Sequence, residues 1–307
     1  MGKSGFGSYK KNSASSIGLK SSIDSFASIY AAVLNIAGPD LLFFGFPETT
    51  TTVSGKVSKW TSFSNYLTSS SPLFLDQTTA ANRPALNSST TAPFQKIGNT
   101  SSTFLTTVTQ GTYGKVDMTT VTDITVCTYM DLNNADGAGV YPILFETGPG
   151  SFGGAYFNTL GALEIQVAFP TTVAAGKIEF GLKRGHLGQY QIAGYLLDNT
   201  NDYLRTGFNH YTFYFKAARD DNTGNTFAMT INNVVQTQTA RTFSPANPAL
   251  ANNVTNFGNL AMHWGASYNF APISADYSSL IIIGRNLTTD ERTKIYNIQR
   301  AIGDILQ

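Results

Sequence analysis

The chain has 307 residues, of which 42% are hydrophobic, enough to build a core in one large domain. Only 13% are charged and the net charge is +1, so there is no basic field to hold nucleic acid by its phosphates. No apolar run is long enough to span a bilayer, and a single cysteine, Cys127, excludes an internal disulfide framework and a cysteine-rich zinc site.

Residues 1 to about 20 are Gly, Ser and Lys with little apolar content. They predict an extended arm that gains order only by docking on something else. From Ser21 to Ile36, the apolar residues Ile23, Phe26, Ala27, Tyr30, Val33 and Leu34 follow helical spacing, and Gly38-Pro39 is a stop. This short helix reads either as a packing helix on the main domain or as part of an attachment segment. Asp24 and the Ser- and Gly-diluted front argue against a cleaved leader.

Beyond Leu41 the pattern becomes strand, turn, strand. Leu41 to Phe46 is the first strand-like run, and the segment Val53 to Thr61 follows a Thr cluster. Val121 to Met130 alternates, with Ile124, Val126, Thr128 and Met130 on one face and Thr125, Cys127 and Tyr129 on the other. In that setting Cys127 reads as a small packed residue rather than a nucleophile. Val140 to Phe145, Leu163 to Phe169, Ile178 to Leu182, Tyr190 to Leu197, His210 to Lys216 and Leu260 to Trp264 continue the series. Phe227 to Gln238 predicts a hairpin turning at Asn232-Asn233. Gly, Asn and Asp between these short runs argue for an antiparallel sandwich rather than a parallel α/β sheet.

The chain closes with a strand, Tyr277 to Gly284, and a helix beginning near Thr288. Thr288 and Glu291 form a capping-box pattern, and Asp290 and Glu291 suit the positive end of a helix. Ile295, Ile298, Ile302 and Ile305 make one apolar stripe, with Arg292, Lys294 and Arg300 elsewhere.

Three passages carry a family resemblance: Gly55 to Trp60 followed by Thr78 to Pro84; the hairpin Phe227 to Gln238; and Ser279 to Tyr296, a terminal strand, linker and helix. The chain from Leu41 to Leu306 resembles the laminin-G-like, concanavalin-A-type jelly-roll domains of many phage and secreted proteins. The resemblance implies an all-β, two-sheet antiparallel jelly-roll sandwich over residues 41–307. Residues 1–40, an N-terminal arm and helix, would form a separate attachment segment. Fold alone does not choose among the glycan binders, adhesion modules and virion modules of such a family.

Hydrolases of this fold supply paired carboxylates from one strand, and glycoside hydrolysis needs two such groups about 5 to 10 Å apart. Here Glu146, Glu164 and Glu179 each stand alone in their strands, and Gln166 and Phe169 fill the positions where further acids would follow Glu164. His186, His210 and His263 are scattered, without a nucleophile-elbow serine or cysteine. No catalytic residue is therefore expected. Gly148 to Gly153 matches a G-x-G-x-x-G string but leads into turn and strand, so no helix N-terminus meets a phosphate. Asp131, Asn133 and Asp136 resemble a calcium loop with one residue too many and no acid at the twelfth position. An Asx-rich turn is the simpler reading, which leaves at most a weak calcium site and otherwise no cofactor.

The expectation is a non-enzymatic structural protein of a tailed-phage virion: a capsid decoration, head fibre or tail fibre component. It would be anchored to other virion proteins through residues 1–40 and self-associate, as a trimer by analogy with such assemblies. The alternative is a lectin-like module for host or surface polysaccharide, with Trp264, Tyr268 and Tyr203 as sugar-stacking candidates. A glycoside hydrolase comes third. Neither nucleic acid nor membrane is an expected partner.

Overall fold

The computed structural model describes residues 26–46, 49–62, 67–68, 71–72, 74–87, 96–99, 105–106, 115–118, 120–131, 143–148, 163–168, 177–186, 189–198, 208–216, 227–237, 258–264 and 275–305. The arm at residues 1–20 therefore lies outside the described residues. Helix α1 is Phe26–Ala37, followed by a 3-10 turn at Gly38–Asp40. Strands β1 Leu41–Gly45, β2 Thr50–Val53, β3 Lys56–Thr61, β4 Leu67–Thr68, β5 Ser71–Pro72, β6 Phe74–Asp76, β7 Ala85–Asn87 and β8 Lys96–Asn99 follow. Next come β9 Leu105–Thr106, β10 Lys115–Met118, β11 Asp123–Asp131, β12 Ile143–Gly148, β13 Leu163–Ala168, β14 Lys177–His186 and β15 Gln189–Asp198. The last are β16 Phe208–Lys216, β17 Phe227–Ile231, β18 Val234–Val235, β19 Gly258–Trp264 and β20 Ala275–Ile283, and helix α2, Thr289–Ile305, closes the chain.

The pairings are antiparallel, and the protein is an all-β sandwich with a helix near each end of the described chain. One layer runs β18–β17–β16–β11–β20–β1. The other runs β15–β14–β13–β12–β19–β9–β6–β3–β2, with β10 also on β19. The short strands β7 and β8 join the two, pairing β3 to β20 where the sheet folds over.

The first layer is buried on both faces except at its edge strand β18, where Val234 and Val235 are exposed. Its outer face lies under the two helices: Ile29, Val33 and Ala37 of α1 and Ile295 and Ile298 of α2 share one core with Leu41, Phe44, Cys127, Ile281, Ile283 and Leu287. Of the two readings of the first helix, its side chains fit packing, because α1 is a layer of the sandwich. The inner face carries Ile124, Val126 and Met130, in line with Phe213, Phe215, Leu280 and Ile282. Both faces of β11 alternate as expected, yet polar Thr125, Thr128 and Thr212 are buried too. They are accommodated by hydrogen bonds, Thr125 Oγ1 to the Arg285 carbonyl at 2.7 Å and Thr128 Oγ1 to the Ser279 carbonyl at 3.0 Å.

The two layers meet at Trp60, which is fully buried, lies edge-on to Phe43 at 5.6 Å and donates its indole N–H to the Phe46 carbonyl at 3.0 Å. Gly45 permits this approach: a Cβ there would stand 2.6 Å from Trp60 Nε1. Sequence reading missed the hairpin β2–β3, which turns through Ser54 and Gly55 with φ of 53° and 73°. The hairpin β17–β18 turns as expected at Asn232-Asn233, with φ of 49° and 65°. Positive φ at both central residues is the primed turn that matches strand twist, and Asn tolerates it.

Candidate functional site

Residues opposite one another in antiparallel strands lie on the same face of a sheet. Following that register across the second layer, Thr51 faces Lys59, Lys59 faces Asp76, and Asp76 faces Thr106. Thr106 then faces His263, which faces Glu146, which faces Glu164, which faces Lys183, which faces Ile192. One polar row thus crosses nine strands. The adjacent row runs Trp60, Leu75 and then Leu105, Trp264, Phe145, Ile165, Leu182 and Ala193. Trp60, Leu75 and Ile165 are at most 1% exposed, so this second row faces the core and the polar row faces outward. Exposed Thr51 and half-buried Lys59 and Asp76 agree.

Where side chains are described, the polar face has distinct chemistry. Lys59 Nζ sits 4.2 Å from the centre of the Phe74 ring, a cation over an aromatic face. Burial raises the Asp76 carboxyl above its usual range, and neighbouring Lys59 opposes that shift. Further along, Glu146 and Glu164 are direct cross-strand partners, flanked by His263 on one side and Lys183 on the other. Each of the two is alone in its own strand, as read, and pairing between strands brings them side by side. The search for acids along one strand missed two that pairing brings together. Glu179 does stand apart, facing Ala168 and Leu196. Like charges directly opposite are destabilising by roughly 0.2–1 kcal/mol, an arrangement that stability alone does not favour. Small residues flank this charged stretch, Gly148 opposite Ala261 on one side and Gly181 opposite Gly194 on the other.

The residues singled out from sequence are distributed differently. Trp264 falls in β19 at a register position on the core-facing side, whereas its neighbour His263 falls on the open side. Tyr268 and Tyr203 lie outside the described residues, as do Asn133 and Asp136. Asp131 ends β11 with only 4% exposure, facing Phe208. Among the described residues, no three His, Cys, Asp or Glu side chains gather as metal ligands. His186 ends β14 opposite Gln189.

The helix-covered face is scaffold. Its capping box forms as expected, the Thr288 N–H donating to Glu291 Oε2 at 2.8 Å and the Glu291 N–H to Thr288 Oγ1 at 3.3 Å. Sequence reading missed the residue that ties this cap to the rest. The Arg285 guanidinium pairs with Glu291 at 2.8 Å and with Asp40 at 3.2 Å, and also donates to the Ile36 carbonyl at the end of α1. Arg285 and the cap hold the Glu291 carboxyl down to about 2. The only sequence signal was a cation just before a capping box, which says nothing of a partner about 250 residues away in sequence. Beneath α2, burial pushes the Cys127 thiol up to about 12, which suits an inert packed side chain.

No protein-family model and no curated protein sequence matches this chain. Solved structures do. The binding domain of botulinum neurotoxin serotype C1 gives a TM-score of 0.50 at 10% identity, over 86% of this chain and 53% of that one. A botulinum neurotoxin type C structure, from a toxin whose cell entry is dependent upon interaction with two ganglioside molecules, gives 0.49 at 10% identity over 90% and 53%. Trypanosoma rangeli sialidase gives 0.48 at 9% identity over 87% and 34%. The chain spans about half the length of the neurotoxin chains and a third of the sialidase. At these identities the likeness is one of fold.

Proposed function

We propose that this protein is a non-enzymatic, carbohydrate-binding β-sandwich that reads its ligand on the open face of the second layer. The observation that carries the reading is the polar row from Lys59 to Lys183, set on a face over which no described element lies, while the opposite face of the sandwich is sealed by helices. Sugars present hydroxyls, and sometimes charged substituents, around small apolar patches. Acids, cations and hydroxyls in one row, with an aromatic such as Phe74, offer matching chemistry. Gly181, Gly194, Gly148 and Ala261 add no bulky side chain beside the charged stretch.

Hydrolases of this fold draw their paired acids from one strand, whereas Glu146 and Glu164 come from two, and binding is the reading proposed. A glycan array with the purified protein, followed by reducing-sugar assays on every bound glycan, tests both parts. Glycan binding without turnover is expected. No binding on a broad array would defeat the proposal, and turnover lost in Glu146→Gln would establish the hydrolase instead.

The tailed-phage setting expected from the resemblance would display this same face outward from a particle. Immunogold labelling of purified particles tests that setting independently of ligand binding.

A further inference from the structure

His210 lies in mid-strand on the helix-covered face, 1% exposed, with its backbone pinned by Asn232 in both directions. Its ring meets Tyr296 of α2 edge-on at 5.3 Å. Gln299, one turn further along α2, is fully buried and donates to Ser279 Oγ at 2.8 Å. The Gln299 side chain reaches the His210 ring, yet no hydrogen bond of good geometry completes either imidazole nitrogen or Gln299 Oε1. The C-terminal half of α2 therefore rests on a buried, neutral and weakly satisfied polar patch. The start of the helix is held differently, by the ion pair from Arg285 to Glu291 and by the capping box.

We propose that the C-terminal half of α2 is a flap released by acid, latched by neutral His210 and hinged at the Arg285–Glu291 pair. Burial pushes the His210 ring down to about 4, partly offset by the Gln299 side chain. A histidine exposed by opening of the flap titrates near 6.5. The open form therefore takes up a proton first as pH falls, and the closed form loses ground from about 6.5 down to about 4. Glu291 keeps its charge through that window, so the hinge end stays fixed. On α2, Tyr296 is the ring contact, the Arg300 guanidinium lies 5.5 Å from the Tyr296 ring centre, and Arg292 is a second cation, whose charge acts on Cys127. From the strands, Tyr129 faces His210, and two residues along β11 Asp131 faces Phe208 on one side and Asp276 on the other.

Cys127 reports the opening, since its thiol is 1% exposed in the core that α2 covers. The full chain is labelled with a dipyridyl disulfide, which reacts with thiols in acid, and rates are normalised to a free cysteine peptide. The normalised rate should rise about a hundredfold between pH 7 and pH 4. In His210→Gln it should rise less than threefold. A flat wild-type profile, or an unchanged rise in His210→Gln, overturns the flap. If that variant does not fold, hydrogen exchange on the wild-type chain decides. Loss of protection at Ile295–Ala301 before β11 and Thr289–Arg292 supports the flap, and simultaneous loss everywhere overturns it.

Discussion

The two outer faces of this sandwich are built by the same alternation of strand residues, yet they end in opposite states. On the first layer, the outward positions are Phe44, Cys127, Ile281 and Ile283, and two helices cover them. On the second, the corresponding positions are Lys59, Asp76, His263, Glu146, Glu164 and Lys183, and no described element lies over them. An apolar outward face demands a cover, whereas a polar one is stable in water and free to take a ligand. The cost of the open face is visible in the Glu146–Glu164 pair, where like charges oppose each other. A scaffold selected for stability alone has no reason to keep them there.

Mutations on each face separate their roles. The largest expected effect is at the seam between layers. Trp60→Ala should lower unfolding free energy by about 3–5 kcal/mol, because it opens a cavity and removes one of the donors to the Phe46 carbonyl. A denaturant midpoint shifted by less than the equivalent of 1 kcal/mol would show that the layers do not depend on it. Ile295→Ala, which strips α2 of a fully buried anchor, should cost about 2–4 kcal/mol by the same measurement.

Smaller effects belong to the helix clamp. Arg285→Ala should cost roughly 1–2 kcal/mol, less than a fully buried pair, since both partners are about a quarter exposed. Glu291 has a folded pKa held well below its ordinary value, so its contribution is present at neutral pH and fades as pH falls below about 4.5 toward 2. Arg285→Ala should therefore flatten the acid limb of the stability curve below pH 4.5, as read by urea titrations at several pH values. Thr288→Ala, which removes one half of the cap, should cost about 1 kcal/mol. At the far end of the scale, Thr51→Ala on the open face should change stability by less than about 0.5 kcal/mol.

Much of the fold is legible from residue order. The alternation of β11, the asparagine turn after β17 and the Thr288–Glu291 cap each encode a local structure in adjacent residues, and each forms as read. The β2–β3 hairpin escaped because its Ser54-Gly55 turn is embedded in a Thr- and Ser-rich stretch without strong apolar alternation. What no local reading reaches is pairing between distant strands. Glu146 and Glu164 become neighbours only through the β12–β13 register, and His263 joins them across more than a hundred residues of chain. Trp264 attracted notice as a large aromatic, but the face it occupies depends on that same register, which sets it in line with Phe145 and buried Ile165. Arg285 is a similar case, since its partners are brought together from both ends of the described chain.

The most direct test of an open, ligand-reading face pairs two measurements on one variant, Glu146→Gln with Glu164→Gln. Equilibrium unfolding should show stability equal to wild type or higher by up to about 1 kcal/mol, as the opposed charges are relieved. Calorimetric titration with the best glycan from the array should show affinity reduced at least tenfold. Undiminished affinity in a variant that folds as well as wild type would contradict the account.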